Sequence, residues 1–134
     1  MAVFDASVVV AAMSPDEGQS RAVAALAPYL GGGGLVPGLW SLEVANVLLT
    51  KRRRGVLTPD HVDAVWRAIM RIPVETHHAA AAEVQSAVMP LAALHGLTSY
   101  DACYLELALR FTVPLATLDS KLIAAARAEG VTVL

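Results

Sequence analysis

Val3-Phe4-Asp5-Ala6-Ser7-Val8-Val9-Val10-Ala11-Ala12-Met13 decides how the rest of this chain is to be folded. Val3 and Phe4 read as a short buried strand that Asp5 brings to an end. The run from Ala6 to Met13 is apolar almost throughout and β-branched at Val8, Val9 and Val10, so its pattern leaves strand and helix both open. Asp5 sits between two apolar runs and is expected to be largely enclosed. A buried carboxylate is normally paired, hydrogen-bonded or metal-bound. The plainer alternative is a helix N-cap, a role that Asp fills well.

Working outward, the same unit recurs. Leu35-Val36-Pro37, Ile72-Pro73-Val74-Glu75, Val113-Pro114-Leu115-Ala116-Thr117 and Val131-Thr132-Val133 read as further short strands. Between them the spacing predicts helices from about Gln19 to Leu30, Leu39 to Arg54, Thr58 to Met70, Thr98 to Arg110 and Asp119 to Glu129. The first of these places Val23, Leu26, Ala27 and Leu30 on one face. An Ala-rich helical segment is predicted from near His78 to about His95, kinked or divided at Pro90 and closed by Gly96. Ser14 to Gly18 reads as a loop, and Gly31 to Gly34 as a short flexible link. Strands alternating with helices indicate α/β architecture, a parallel sheet covered on both faces. With no repeat and no internal boundary, residues 1–134 are expected to form one domain.

Composition narrows the function. The chain is 56% hydrophobic and only 16% charged, which suits tight helix-on-sheet packing with an apolar face left for a partner. A net charge of −2 argues against general nucleic-acid binding, yet Lys51-Arg52-Arg53-Arg54 form one local basic run. That run is read as a phosphate-steering patch, with a solvated helix end favoured by the dipole as the alternative. A lone Cys103 forms no internal disulfide, and no signal peptide is visible, so a cytoplasmic location is expected. The uncharged stretch from Ala22 to Leu42 is interrupted by Pro28, Pro37 and the run Gly31 to Gly34, which argues against a membrane span.

Four acids stand where strands hand over to helices: Asp5, Glu43, Asp101 and Asp119. Each has a local explanation. Glu43 suits the first turn of its helix, Asp101 follows Thr98 at capping-box spacing, and Asp119 is placed as an N-cap. Ligand sites of open parallel sheets form outside the carboxyl ends of the strands, where all four would gather. Carboxylates brought together there repel one another unless a cation is bound, which points to a hard-metal site. Zinc is not indicated: His77 and His78 are adjacent, and His61 and His95 stand apart.

Four segments, in order, resemble the PIN-domain ribonucleases of the VapC type, the toxin half of toxin–antitoxin pairs. They are Val3-Phe4-Asp5-Ala6-Ser7, Trp40-Ser41-Leu42-Glu43-Val44-Ala45-Asn46-Val47-Leu48, Leu97-Thr98-Ser99-Tyr100-Asp101-Ala102 and Leu115-Ala116-Thr117-Leu118-Asp119. The resemblance implies a three-layer α/β/α domain with a central parallel sheet of four to five short strands. It implies that Asp5, Glu43, Asp101 and Asp119 hold one or two Mg²⁺ or Mn²⁺ ions, with Asp5 and Asp101 as direct ligands. Ser7, Asn46 and Thr117 match polar positions beside that quartet. It further implies an RNA substrate, a small VapB-type antitoxin covering the acidic pocket, and a homodimer. A catalytically silent, partner-binding module of the same fold is the competing reading. A phosphate-accepting receiver domain fits poorly, because Asp5 is followed by Ala6 and the third strand ends in Val74-Glu75-Thr76.

Overall fold

A computed structural model describes residues 1–16 and 20–134. The end of the loop expected over Ser14 to Gly18, and the helix start expected near Gln19, lie outside the described residues. In chain order the elements are β1 (Ala2–Phe4), α1 (Ala6–Met13), α2 (Ser20–Leu26), β2 (Gly34–Pro37), α3 (Trp40–Arg53), α4 (Pro59–Met70) and β3 (Val74–His77). They continue with α5 (Ala81–Glu83), α6 (Met89–His95), α7 (Ser99–Phe111), β4 (Leu115–Ala116) and α8 (Ser120–Ala128).

The strands make one parallel sheet in the order β3-β2-β1-β4. Val3 of β1 lies opposite Leu35 on one side and Leu115 on the other. The order therefore runs outward in both directions from β1, whose carboxyl end becomes the centre of the rim. Helix α7 packs across β1, β2 and β4 with α6 beside it, while α1 packs with α2, α3 and α4, giving the three-layer α/β/α arrangement. Phe4, Leu35, Leu105, Leu107, Leu115 and Leu122 are fully buried between the layers, each contributing about 1.5–3 kcal/mol through burial.

The ambiguous run after Asp5 is a helix. Ala6, Val8, Val9, Val10, Ala11 and Ala12 are all buried, as in a helix enclosed on every side, which overrides their strand preference. Several boundaries differ from expectation for identifiable reasons. Pairing of β3 begins after Pro73, which has no N–H to donate, so the strand is Val74–His77 rather than 72–75. Pairing of β4 is confined to Leu115–Ala116, directly after Pro114, which has no N–H to donate. The expected fifth strand is reduced to one parallel bridge between Val133 and Leu115.

The Ala-rich segment starts at Ala81, not near His78, since His77 belongs to β3. Val84–Val88 widen into a π-helical turn before Pro90, which cannot donate to the preceding turn. Helix α2 tightens at Pro28 into a 3₁₀ turn over Ala27–Tyr29. Its core face is Ala22 and Leu26, whereas Val23, expected inside, is 39% exposed. Gly34 is not part of a flexible link but the first residue of β2. A Cβ there would lie 2.5 Å from Phe4 Cε2, so the close approach of β2 to that ring requires glycine. Among the described residues no helix is long and apolar enough to cross a membrane.

Candidate active site

Asp5 follows β1 directly and takes the N-cap position of α1, yet its carboxylate makes no capping hydrogen bond. Instead it is 5% exposed and receives two hydroxyls on one oxygen. Ser7 Oγ donates to Oδ2 at 2.8 Å, and Thr117 Oγ1 donates to the same atom at 2.6 Å. The second contact crosses from β1 to the end of β4, its neighbour in the sheet. Ser7 and Thr117 thus sit beside the acid as expected, and both turn Asp5 by gripping one oxygen. Oδ1 receives no hydrogen bond among the described residues.

Asp119 follows Thr117 in the same loop, where its N–H donates to Thr117 Oγ1 at 3.1 Å. Its Oδ1 accepts the Leu122 N–H at 2.8 Å, so the N-cap reading holds for one oxygen of this exposed acid. Asp101 lies in the first turn of α7, and Thr98 Oγ1 accepts its N–H at 3.1 Å. That is half of a capping box, made by the backbone of Asp101, and it leaves the carboxylate available.

Glu43 stands in the first turn of α3, after β2. Its Oε2 accepts the hydroxyl of Tyr104 at 3.1 Å. Burial pushes the Glu43 carboxyl up to about 7, with the Tyr104 hydroxyl opposing and the charges of Asp5 and Asp101 adding to the rise. Asp101 is likewise raised by burial, then by Asp119 and Asp5, with Thr98 opposing. The charge of Asp5 thus reaches both Glu43 and Asp101, and that of Asp119 reaches Asp101, which is the convergence that sheet order had left open in the sequence.

The donor set can be tested against a metal on these observations. Among the described residues, no three His, Cys, Asp or Glu side chains come close enough to enclose an ion by themselves. Closed cages of that kind suit structural zinc. Hard ions such as Mg²⁺ keep several waters and take few carboxylates, and a rim of mutually repelling acids with unengaged oxygens fits that chemistry.

Not every predicted residue joins the cluster. Asn46 is exposed, makes no hydrogen bond to the four acids, and lines a depression with Asp16, Thr50 and Lys51. The basic run lies at the far end of α3, roughly 12–16 Å along its axis from Glu43. Lys51 Nζ pairs there with Asp16 at 2.7 Å, and Arg53 donates to Thr50 Oγ1 at 3.2 Å.

Tyr104, which contacts Glu43, is the residue of this cluster that sequence reasoning missed. It is fully buried, and the Glu43 and Asp5 charges add to burial in keeping its hydroxyl protonated. A tyrosine three residues after Asp101, among the Leu and Ala of the same helix, was the available signal, since a buried phenol needs a partner. A second missed feature is a collar of exposed apolar side chains. Leu42 is 70% exposed, Tyr100 62% and Leu118 47%, and each immediately precedes one of the acids.

Comparison with known proteins identifies the family and the fold. The family model of the PIN domain matches residues 2–128. Ribonuclease VapC3 of Pyrobaculum aerophilum is 34% identical over 124 residues, covering 90% of each chain. This chain belongs to the VapC family of PIN-domain proteins. Its fold is shared by the crystal structure of PAE2754 from Pyrobaculum aerophilum, with a TM-score of 0.72 at 21% identity over 98% of this chain and 82% of that one. The crystal structure of FitAcB from Neisseria gonorrhoeae matches with a TM-score of 0.64 at 18% identity, over 100% of this chain and 96% of that one. The PIN domain thus coincides with the sheet and helices that carry the four acids.

Proposed function

We propose that this VapC-family chain is the toxin of a toxin–antitoxin pair and hydrolyses RNA phosphodiester bonds, with Asp5, Glu43, Asp101 and Asp119 holding Mg²⁺ or Mn²⁺. The observation that carries the reading is Asp5: a buried strand-end carboxylate that caps nothing and is turned by Ser7 and Thr117. The name of its relative, a ribonuclease, supplies RNA as substrate.

Asp5 and Asp101 are the direct ligands in this reading, and Asp119 offers the oxygen that its cap bond does not use. When bound, the ion neutralises phosphate charge and lowers the pKa of a coordinated water. Glu43 can take a proton from the attacking water on the oxygen that Tyr104 leaves free. The Tyr104 hydroxyl holds that carboxylate in place and stays protonated itself.

A small antitoxin of the VapB type covers the pocket, seated on the collar of Leu42, Tyr100 and Leu118. The other exposed apolar residues, among them Met89 at 55% and Leu94 at 72%, support a homodimer in a cytoplasmic protein. Arg52 and Arg54 would hold RNA backbone away from the cut.

The test is cleavage of labelled RNA by protein freed of contaminating nuclease, with and without Mg²⁺ or Mn²⁺. Cleavage is expected to need the ion and to vanish in Asp5→Ala and Asp101→Ala while circular dichroism stays native. Cutting that survives in either variant would refute the site.

A further inference from the structure

A cavity of about 190 Å³ lies between α1, α2 and α8, against the loop that joins β4 to α8. That loop is a wall it shares with the acids. Thr117 lines the cavity, and the same residue donates its hydroxyl to Asp5 Oδ2 at 2.6 Å and accepts the Asp119 N–H at 3.1 Å. Leu118, also in the lining, donates its N–H to Ser7 Oγ at 3.5 Å. Val8 and Ala22 are buried and close the cavity on the inside, while Arg21, Leu118 and Arg127 are exposed at its mouth.

Regular spacing along α8 brings one of these cations there. Asp119 caps the helix, and Ile123 and Arg127 follow four and eight residues later on one face. The Arg127 backbone therefore stands about 12 Å along the axis from Asp119. A group held at that distance flanks the bond being cut and is not the one attacked.

Charge singles the cavity out. Arg21 lines it from α2 and Arg127 from α8, and among the described residues no Asp or Glu lines it with them. Among the same residues neither arginine makes a side-chain hydrogen bond or an ion pair. Arg110 and Lys51 differ in this, being held by Glu106 at 3.0 Å and by Asp16 at 2.7 Å. Two cations lining one cavity repel each other while it is empty and attract an anion between them. Guanidinium presents a planar fork of N–H donors that matches phosphate oxygens two at a time. The volume lies below the ~300–1,000 Å³ of small-molecule sites, leaving room for one phosphate with its waters and not for a nucleoside.

We propose that this cavity is a phosphate subsite, in which Arg21 and Arg127 close on one phosphate of the RNA strand, to one side of the bond that the acids cut. The proposal rests on the RNA-cleaving reading only for the reason an RNA strand lies there.

Binding is measured apart from cutting. The Asp5→Ala chain is titrated in EDTA with fluorescent oligouridylates ending in hydroxyl or in phosphate, alone and with Arg21→Gln, Arg127→Gln or both. A single shared phosphate predicts that the slope of log K on log salt falls by about 0.7 in the double variant. Between about 50 and 200 mM salt that difference amounts to roughly threefold in affinity. The two single losses should sum to more than the double loss, because both arginines hold one ligand. Arg127→Lys should keep the slope but lose affinity, since ammonium keeps the charge without the fork. Thermal melts of all variants should match the parent, both side chains being exposed.

Equal effects in hydroxyl-ended and phosphate-ended strands assign an internal phosphate. An effect confined to phosphate-ended strands assigns the terminal one, and either result upholds the clamp. Unchanged slope and affinity in the double variant would overturn the subsite, while cleavage by the wild type with Mn²⁺ would leave the nuclease standing. Additive losses with a slope change of about 1.4 would mean two separate phosphates and overturn the shared one. Lost affinity for the cognate antitoxin with RNA affinity unchanged would give the cavity to that peptide and overturn the proposal. The expected salt signature in a chain that cuts no RNA would uphold the subsite and overturn the nuclease.

Discussion

Glu43→Gln is expected to make the metal-free protein more stable while stopping cleavage. The Glu43 carboxyl rises from its ordinary 4.5 to about 7, first through burial and then through Asp5 and Asp101. Between those values the folded chain binds more protons than the unfolded one, so stability falls as pH rises through the interval. Above pH 7 the cost is complete, with a ceiling of ~3.4 kcal/mol for a change of that size. Solvent screening at this partly exposed side chain reduces it to about 1–2 kcal/mol. Glutamine still accepts the Tyr104 hydroxyl but carries no charge, so it removes the cost and keeps the contact. In EDTA at pH 8 the variant should therefore gain about 1–2 kcal/mol, or roughly 3–8 °C in Tm. Below pH 4.5 the gain should vanish, because the wild-type group is then protonated in both states. Added Mg²⁺ or Mn²⁺ should stabilise the wild type more than the variant, since an ion bound only by the folded chain adds stability by mass action. Thermal and denaturant melts at pH 4 and pH 8, each with EDTA and with metal, provide the measurement. An equal gain at both pH values, or none at pH 8, would refute the electrostatic account of the site.

Thr117→Val removes the 2.6 Å hydroxyl from the buried Asp5 oxygen and should cost about 1–3 kcal/mol in denaturant melts, with a lower kcat and little change in KM. An unchanged kcat would mean that Ser7 alone orients the acid. Replacing Arg52 and Arg54 together by alanine should weaken RNA binding and flatten the dependence of log K on log salt. The slope should fall by about 0.7 for each phosphate that is no longer neutralised, as expected for single strands. If affinity and salt slope both stay as they were, the basic run does not meet RNA. Gly34→Ala should destabilise the fold by about 1–3 kcal/mol, because the new methyl would meet the Phe4 ring at 2.5 Å. A neutral melt there would show that β1 and β2 can move apart at no cost.

The elements that carry the site were legible because each announces itself locally. Short apolar strands, Thr58 and Thr98 as caps, and acids at strand ends all depend on neighbours within a few residues, and the structure bears them out. Boundaries were less legible wherever proline decided them, as at Pro73, Pro90 and Pro114, since loss of one donor shifts pairing by a residue or two. The α1 run could not be settled locally at all. Its valines favour a strand, and only enclosure on every side makes it a helix.

The four acids of the rim stood out in the sequence; how each one is held there depended on sheet order. Placing β1 between β2 and β4 brings Thr117 to Asp5 and sets Glu43 and Asp119 on either side. Laying α7 across those strands adds Asp101 and carries Tyr104 to Glu43. Asn46 and the run from Lys51 to Arg54 look adjacent to Glu43 along the chain, yet helix geometry takes the basic run to the opposite end of α3. Chain position determined the residue types and their local elements, because those follow from short-range sterics and capping. Tertiary structure alone decided the repulsion among the acids and the buried tyrosine against Glu43, because burial and charge proximity arise only when distant segments share one rim.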